Sequence, residues 1–183
     1  MKRILIWAAL LLILASCGND HYRIHGRVTS NELEGIQIFL VPLGHETAAD
    51  VDSVHIHNHE FQFEGKEHWM CELRLSKYHR DKGQNLLVAT ESGDIYVTIG
   101  PDSSGGGTPQ NDSLQVWKEL TIRQNKLDNQ LRGAGLRAEL DSSWTAYKVR
   151  TRQMAYALGE ESIVGAFLLG LYPEPKKDAG TDE

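Results

Sequence analysis

Between Tyr22 and Ile99 the chain alternates apolar and polar residues in short runs separated by turn-forming residues. A period of two fits strands that bury one face, and does not fit helices. Tyr22, Ile24, Gly26 and Val28 alternate with Arg23, His25 and Arg27, and Ile36 to Val41 form a second run that Pro42 helps to end. Ser53 to Gly65 reads as a hairpin. Val54 and Ile56 lie on one arm, Phe61 and Phe63 on the other, and Asn58-His59 form a turn whose residue types tolerate positive φ. His68 to Leu75 is a further strand, and Asn85 to Ile99 reads as a second hairpin broken at Glu91-Ser92-Gly93-Asp94. Seven short strands spaced by turns predict an antiparallel β-sandwich or barrel over 22–100.

The period then lengthens. Residues 101–111, with Pro101, Ser103-Ser104, three consecutive glycines and Pro109, read as a linker without regular structure. The glycine run lacks the Gly-Lys-Ser/Thr ending of a phosphate loop. From a cap at Asp112 or Ser113, apolar residues at Leu114, Trp117, Leu120, Leu127 and Leu131 mark a helix that Gly133 and Gly135 stop. Leu136, Leu140, Trp144, Tyr147, Met154 and Leu158 mark a second helix ended by Gly159, and Ile163 to Leu171 a short third. The fold class expected is α+β: about seven antiparallel strands, then two to three helices over 112–172, with a polar disordered tail over 173–183.

Lys2 and Arg3, an apolar run from Ile4 to Leu14, and the small residues Ala15 and Ser16 before Cys17 have the layout of an export signal. The run is too short to span a bilayer comfortably, which takes about 20 apolar residues. Its ending resembles the lipobox of bacterial lipoproteins. That resemblance implies cleavage after residue 16, lipid on Cys17, a tether over 17–21, and an address at the membrane. Gly18 in place of an aspartate makes the outer membrane the expected site, facing either the periplasm or the outside.

The whole chain carries a net charge of −6, and losing Lys2 and Arg3 with the leader takes it to −8. Such a balance lacks the clustered cations that phosphate-backbone binding runs on, so nucleic acid is not expected as a partner. If Cys17 carries lipid, Cys71 has no cysteine to pair with, and no Cys-x-x-Cys pair exists. Cys71 lies in an alternating stretch and is expected to be a buried, inert thiol.

Catalytic signatures are sparse. The sequence has no Gly-x-Ser-x-Gly elbow, and its paired acids sit where turns and helix starts use them. His55, His57 and His59 are the one cluster with metal-like density, because residues two apart on a strand share a face. The turn at Asn58-His59 separates His59 from the other two, so the three are weak candidates and no resident metal or cofactor is expected.

Several short motifs resemble one family. They are Tyr22-x-Ile24-x-Gly26, Ile36-x-Ile38-x-Leu40, Asp52-Ser53 leading to Phe61-x-Phe63-x-Gly65, and Gly93-Asp94-Ile95-x-Val97, with Gly107-Thr108-Pro109-x-Asn111-Asp112 and Val164-Gly165-Ala166-Phe167 behind them. Together they are similar to domain of unknown function 4369 of Gram-negative lipoproteins, which commonly stands ahead of a thioredoxin-like domain. In those proteins the redox Cys-x-x-Cys follows these helices; here the sequence ends at Glu183 without one, so thiol–disulfide chemistry does not carry over.

The function expected is therefore non-enzymatic: an envelope binding or assembly module with a protein partner. Two alternatives stand beside it. One is a small-ligand or metal carrier using His55 and His57 or the neighbourhood of Trp69 and Tyr78. The other is an accessory to a periplasmic thioredoxin-like system, acting through Cys71.

Overall fold

The computed structural model describes residues 20–44 and 47–175. The leader 1–16, Cys17 and most of the tether, and the tail beyond residue 175 lie outside the described residues. Eight strands come first: β1 (Tyr22–Val28), β2 (Gln37–Pro42), β3 (Asp52–His55), β4 (Glu60–Gly65), β5 (Met70–Leu75), β6 (Leu86–Ala89), β7 (Gly93–Ile99) and β8 (Ser104–Gly106). Three helices follow: α1 (Pro109–Ala134), α2 (Arg137–Leu158) and α3 (Ile163–Leu171). The arrangement is α+β, as expected from the change of period.

The strands form two four-stranded sheets, ordered β4-β1-β7-β8 and β3-β2-β5-β6. Every pairing is antiparallel except β1 with β7, which run parallel with Ile24 opposite Ile95. Alternation does here what it should. Ile24, Val28, Phe63, Ile95 and Ile99 from the first sheet and Ile38, Leu40, Leu73, Leu75 and Val88 from the second fill one apolar cluster. Burying such side chains contributes roughly 1.5–3 kcal/mol each. Gly26 is a packing requirement in that core, because a Cβ there would fall 2.0 Å from the Phe61 ring.

Three expectations need correction. Neither hairpin pairs arm to arm. β3 bonds to β2 while β4 bonds to β1, and β6 bonds to β5 while β7 bonds to β1 and β8. Alternation identifies a strand but not its neighbour, and both turns carry the chain from one sheet to the other. The turn at 57–60 is nonetheless tight. His57 and Glu60 form an isolated bridge, and Asn58 and His59 hold φ of 53° and 63°.

The segment 101–111 is not a linker. It contributes the eighth strand and the first residues of α1, and its glycines are the reason. A Cβ at Gly105 would meet Leu86 and Val97 at 3.3 Å, and at Gly107 the Asp94 carbonyl at 2.7 Å, so missing side chains let this stretch close on β7. The helix starts at Pro109, with Thr108 as its extended N-cap, rather than at Asp112 or Ser113.

Glu91, in the β6–β7 turn, accepts from the free N–H groups of Gln110 at 2.7 Å and Asn111 at 3.3 Å. An anion there answers both the orphan donors and the helix dipole. At the other end α1 runs through Gly133 and stops at Gly135, whose φ is 73°.

The helices are docked on the β domain. Gln110 Oε1 accepts from the Val164 N–H at 2.9 Å, and Leu114, Ala155, Val164 and Leu168 pack with Ala89 and Met70 in a second cluster. Between α1 and α2 the contact is polar and aromatic. The Tyr147 hydroxyl meets Thr121 at 2.8 Å, and Trp144 Nε1 donates to Asp128 at 2.7 Å. Among the described residues no helix is long and apolar enough to cross a membrane.

Candidate functional site

The face of the first sheet turned away from the core carries the polar half of each alternation, and there the register makes pairs. Arg27 opposes Glu60 and bonds it at 3.2 Å. His25 opposes Gln62 on one side and Tyr96 on the other. The His25 ring stacks on Tyr96 with centroids 5.1 Å apart and planes 18° from parallel. His25 Nε2 lies 2.9 Å from Asp94 Oδ1, and Arg23 approaches the same oxygen at 3.5 Å. The His25 bond, with Arg23 beside it, holds the Asp94 carboxyl below its ordinary range.

A groove of about 1020 Å³ runs over these strands, from His55, His57 and Glu60 through Gln62, Arg27, His25, Thr98 and Tyr96 to Ser104 and Gln115. One end is bounded by the 57–60 turn and the other by β8 and α1. Its lining mixes neutral amides and hydroxyls, the imidazoles of His25, His55 and His57, one ion pair, and the apolar side chains of Val54, Phe61 and Val97. Such a surface can hydrogen-bond and stack; none of its side chains forms an activated nucleophile.

The three histidines of 55–59 divide as their turn dictates. His55 and His57 share the groove with ring centroids 6.4 Å apart. His59 points elsewhere, its Nε2 at 2.9 Å from Asn31 Oδ1. Its backbone N–H and that of Asn58 donate to Glu34 at 3.0 and 2.8 Å, which pulls the Glu34 carboxyl below its ordinary range. Among the described residues no group of three or more His, Cys, Asp or Glu side chains could hold a metal ion.

Cys71 is 3% exposed, and burial pushes its thiol up to about 12 despite a bond with Thr90. Tyr78 stands out at 77% exposure with Lys77 Nζ 4.9 Å from its ring centroid, whereas Trp69 packs against the core and donates its backbone N–H to Thr90 Oγ1. Trp69 and Tyr78 line no common pocket of those around the sheets. His25 and Tyr96 stack within the groove while Asp94 holds His25 from outside it, and sequence reading did not single them out. Their one signal was position on the polar half of two alternating strands.

The chain belongs to the family described as Domain of unknown function (DUF4369), whose model matches residues 22–114. The matched span takes in all eight strands and the first turn of α1, through Leu114. No curated protein and no solved structure matches significantly.

Proposed function

We propose that this chain is a lipid-anchored protein of the bacterial envelope that works as a non-enzymatic binding or assembly module. The groove over β4, β1, β7 and β8 is its contact surface. We read the two sheets as a sandwich whose core is shared and whose polar outer face is free for recognition. One observation carries the reading. Within the groove Arg27 pairs with Glu60, His25 is held by Asp94 from just outside it, and the rest of the lining sets hydrogen-bonding side chains beside the apolar surface of Val54, Phe61 and Val97. That is the composition of a recognition surface rather than of a reacting centre.

The anchor rests on the leader ending in Ala15-Ser16-Cys17. Metabolic labelling with a fatty acid should mark the protein, and Cys17→Ser should abolish the label. The groove is tested by photo-crosslinking in cells from residues introduced at Gln62 and Thr98, with Tyr78 as an exposed control. A dominant envelope protein captured from the groove positions but not from Tyr78 supports the module. Equal capture at all three, or none above background, removes it.

The carrier reading keeps His55 and His57, which face a common groove but supply only two imidazoles; saturable zinc or copper binding at micromolar concentration would favour it. The thioredoxin-accessory reading loses its chemical basis, since a buried thiol held protonated is a poor nucleophile.

A further inference from the structure

The turn at 57–60 begins a hairpin that does not continue. His57 and Glu60 exchange both backbone bonds, at 2.9 and 3.0 Å. The next pair in that register is His55 with Gln62, and no ladder bond joins them among the described residues. From there the arms separate, because β3 is held by β2 and β4 by β1, and each arm is the edge of its own sheet.

The phase of each ladder decides where the edge groups point. The Val28 N–H donates to the His59 carbonyl at 2.9 Å, so by alternation Phe61 and Phe63 bond β1, and the backbone groups of Gln62 and Glu64 face outward. The Ile56 N–H donates to the Ile36 carbonyl at 3.0 Å, so Val54 bonds β2, and Ser53 and His55 face outward. On β3 the Ser53 N–H is taken by Asp52 Oδ1 at 2.7 Å. On β4 the outward N–H and C=O groups of Gln62 and Glu64 have no partner among the described residues. The more complete open edge is therefore that of β4.

The groove opens on this gap, since Gln62 and His55 line it together with Val54 and Phe61. Its one carboxylate, Glu60, is bonded to its one guanidinium, Arg27, so its walls call for a neutral occupant. An extended polypeptide is such an occupant. It carries N–H and C=O groups at the spacing of an edge strand, and pockets beside the edge take its alternate side chains. We propose that an extended polypeptide segment adds to β4 as a further strand, its backbone bonded to Gln62 and Glu64 and its alternate apolar side chains against Val54 and Phe61. The proposal rests on the groove being the contact surface, and it gives the partner's form there: an unfolded stretch of chain rather than a folded surface.

The test pans a random linear heptapeptide library against the full chain in detergent, with calorimetric titration of the selected peptides. Enrichment of sequences with apolar residues at alternate positions is expected. N-methylation along a selected peptide should show a period of two, each methyl on a residue that bonds β4 weakening binding about fivefold and those between having little effect. Gln62→Pro removes one outward N–H and no bond to β1, as an edge strand tolerates, and should also weaken binding about fivefold. Gln62→Ala keeps that N–H and should bind as the parent does. No enrichment, an N-methyl series without the period, or equal affinity in Gln62→Pro and Gln62→Ala overturns the proposal. If Gln62→Pro does not fold, the N-methyl series decides alone. A partner crosslinked from Gln62 and Thr98 by a chain that selects no such peptide keeps the contact surface and removes the added strand. Period-two peptides with no crosslinked partner do the reverse.

Discussion

The Asn111 carboxamide pairs with both backbone groups of Ala89: Oδ1 accepts the Ala89 N–H at 3.0 Å, and Nδ2 donates to the Ala89 carbonyl at 2.8 Å. A side chain in the first turn of α1 thus completes the ladder of edge strand β6, as a neighbouring strand would. Asn111 is 2% exposed, and its Nδ2 also meets Thr108 Oγ1 at 2.8 Å. Asn111→Ala leaves a donor and an acceptor of Ala89 unpaired in a buried site, at a cost of about 2–4 kcal/mol. Chemical denaturation should show that loss. A stability within 0.5 kcal/mol of the parent, the size of an ordinary surface change, would mean that the helix does not seal the edge.

Gly26→Ala tests the contact between β1 and β4. The added methyl would lie 2.0 Å from the Phe61 ring, and Phe61 is only 6% exposed with Phe63 edge-on at 6.0 Å. The ring must be displaced to admit the methyl, so overpacking should cost about 1–3 kcal/mol. Thermal melts should drop by roughly 2–4 °C per kcal/mol for a chain of this size. Pairing the change with Phe61→Leu should recover part of the loss.

Acid should weaken the fold through Glu34. Its carboxyl titrates below the ordinary range because the His59 and Asn58 N–H groups bond the ionised form. Between the ordinary value and the lowered one, the unfolded chain binds more protons than the folded chain. The stabilisation is therefore complete at neutral pH and lost as pH falls through the folded value. Melting temperature should decline below about pH 4.5, and Glu34→Gln should make that decline shallower. An unchanged acid limb would show that the 57–60 turn is held by its backbone alone.

Cys71 should be silent. In a Cys17→Ser background it is the one remaining thiol. With its thiol pushed up to about 12, the native protein at pH 8 should resist an aromatic disulfide reagent that reacts fully after guanidinium unfolding. Fast labelling of the folded chain would return the thiol-accessory reading to consideration.

How much of this was readable beforehand follows from what each signal measures. Alternation located β1 to β7 because burial of every second residue is local. It was silent on partners, so the arms at Val54 and Phe61 were joined although they belong to different sheets. Strand β8 escaped because Gly105 and Gly106 have no side chain to alternate, and their contribution is the absence that admits Leu86 and Val97. The histidine cluster was half legible. Positive φ at Asn58 and His59 turns His59 toward Asn31 while His55 and His57 keep a common groove. His25 and Tyr96 were invisible as a pair, since an outward polar residue has the same sequence pattern whether it faces bulk water or a groove.

The central place of β1 in its sheet has a kinetic meaning. Both its neighbours, β4 and β7, are made later, and Val28 finds Ile99 only when the last of them is complete. The first strand to leave the ribosome is thus among the last to be satisfied, and closing that long loop must precede the contacts that reward it. Until residue 99 is available the nascent chain has no closed core.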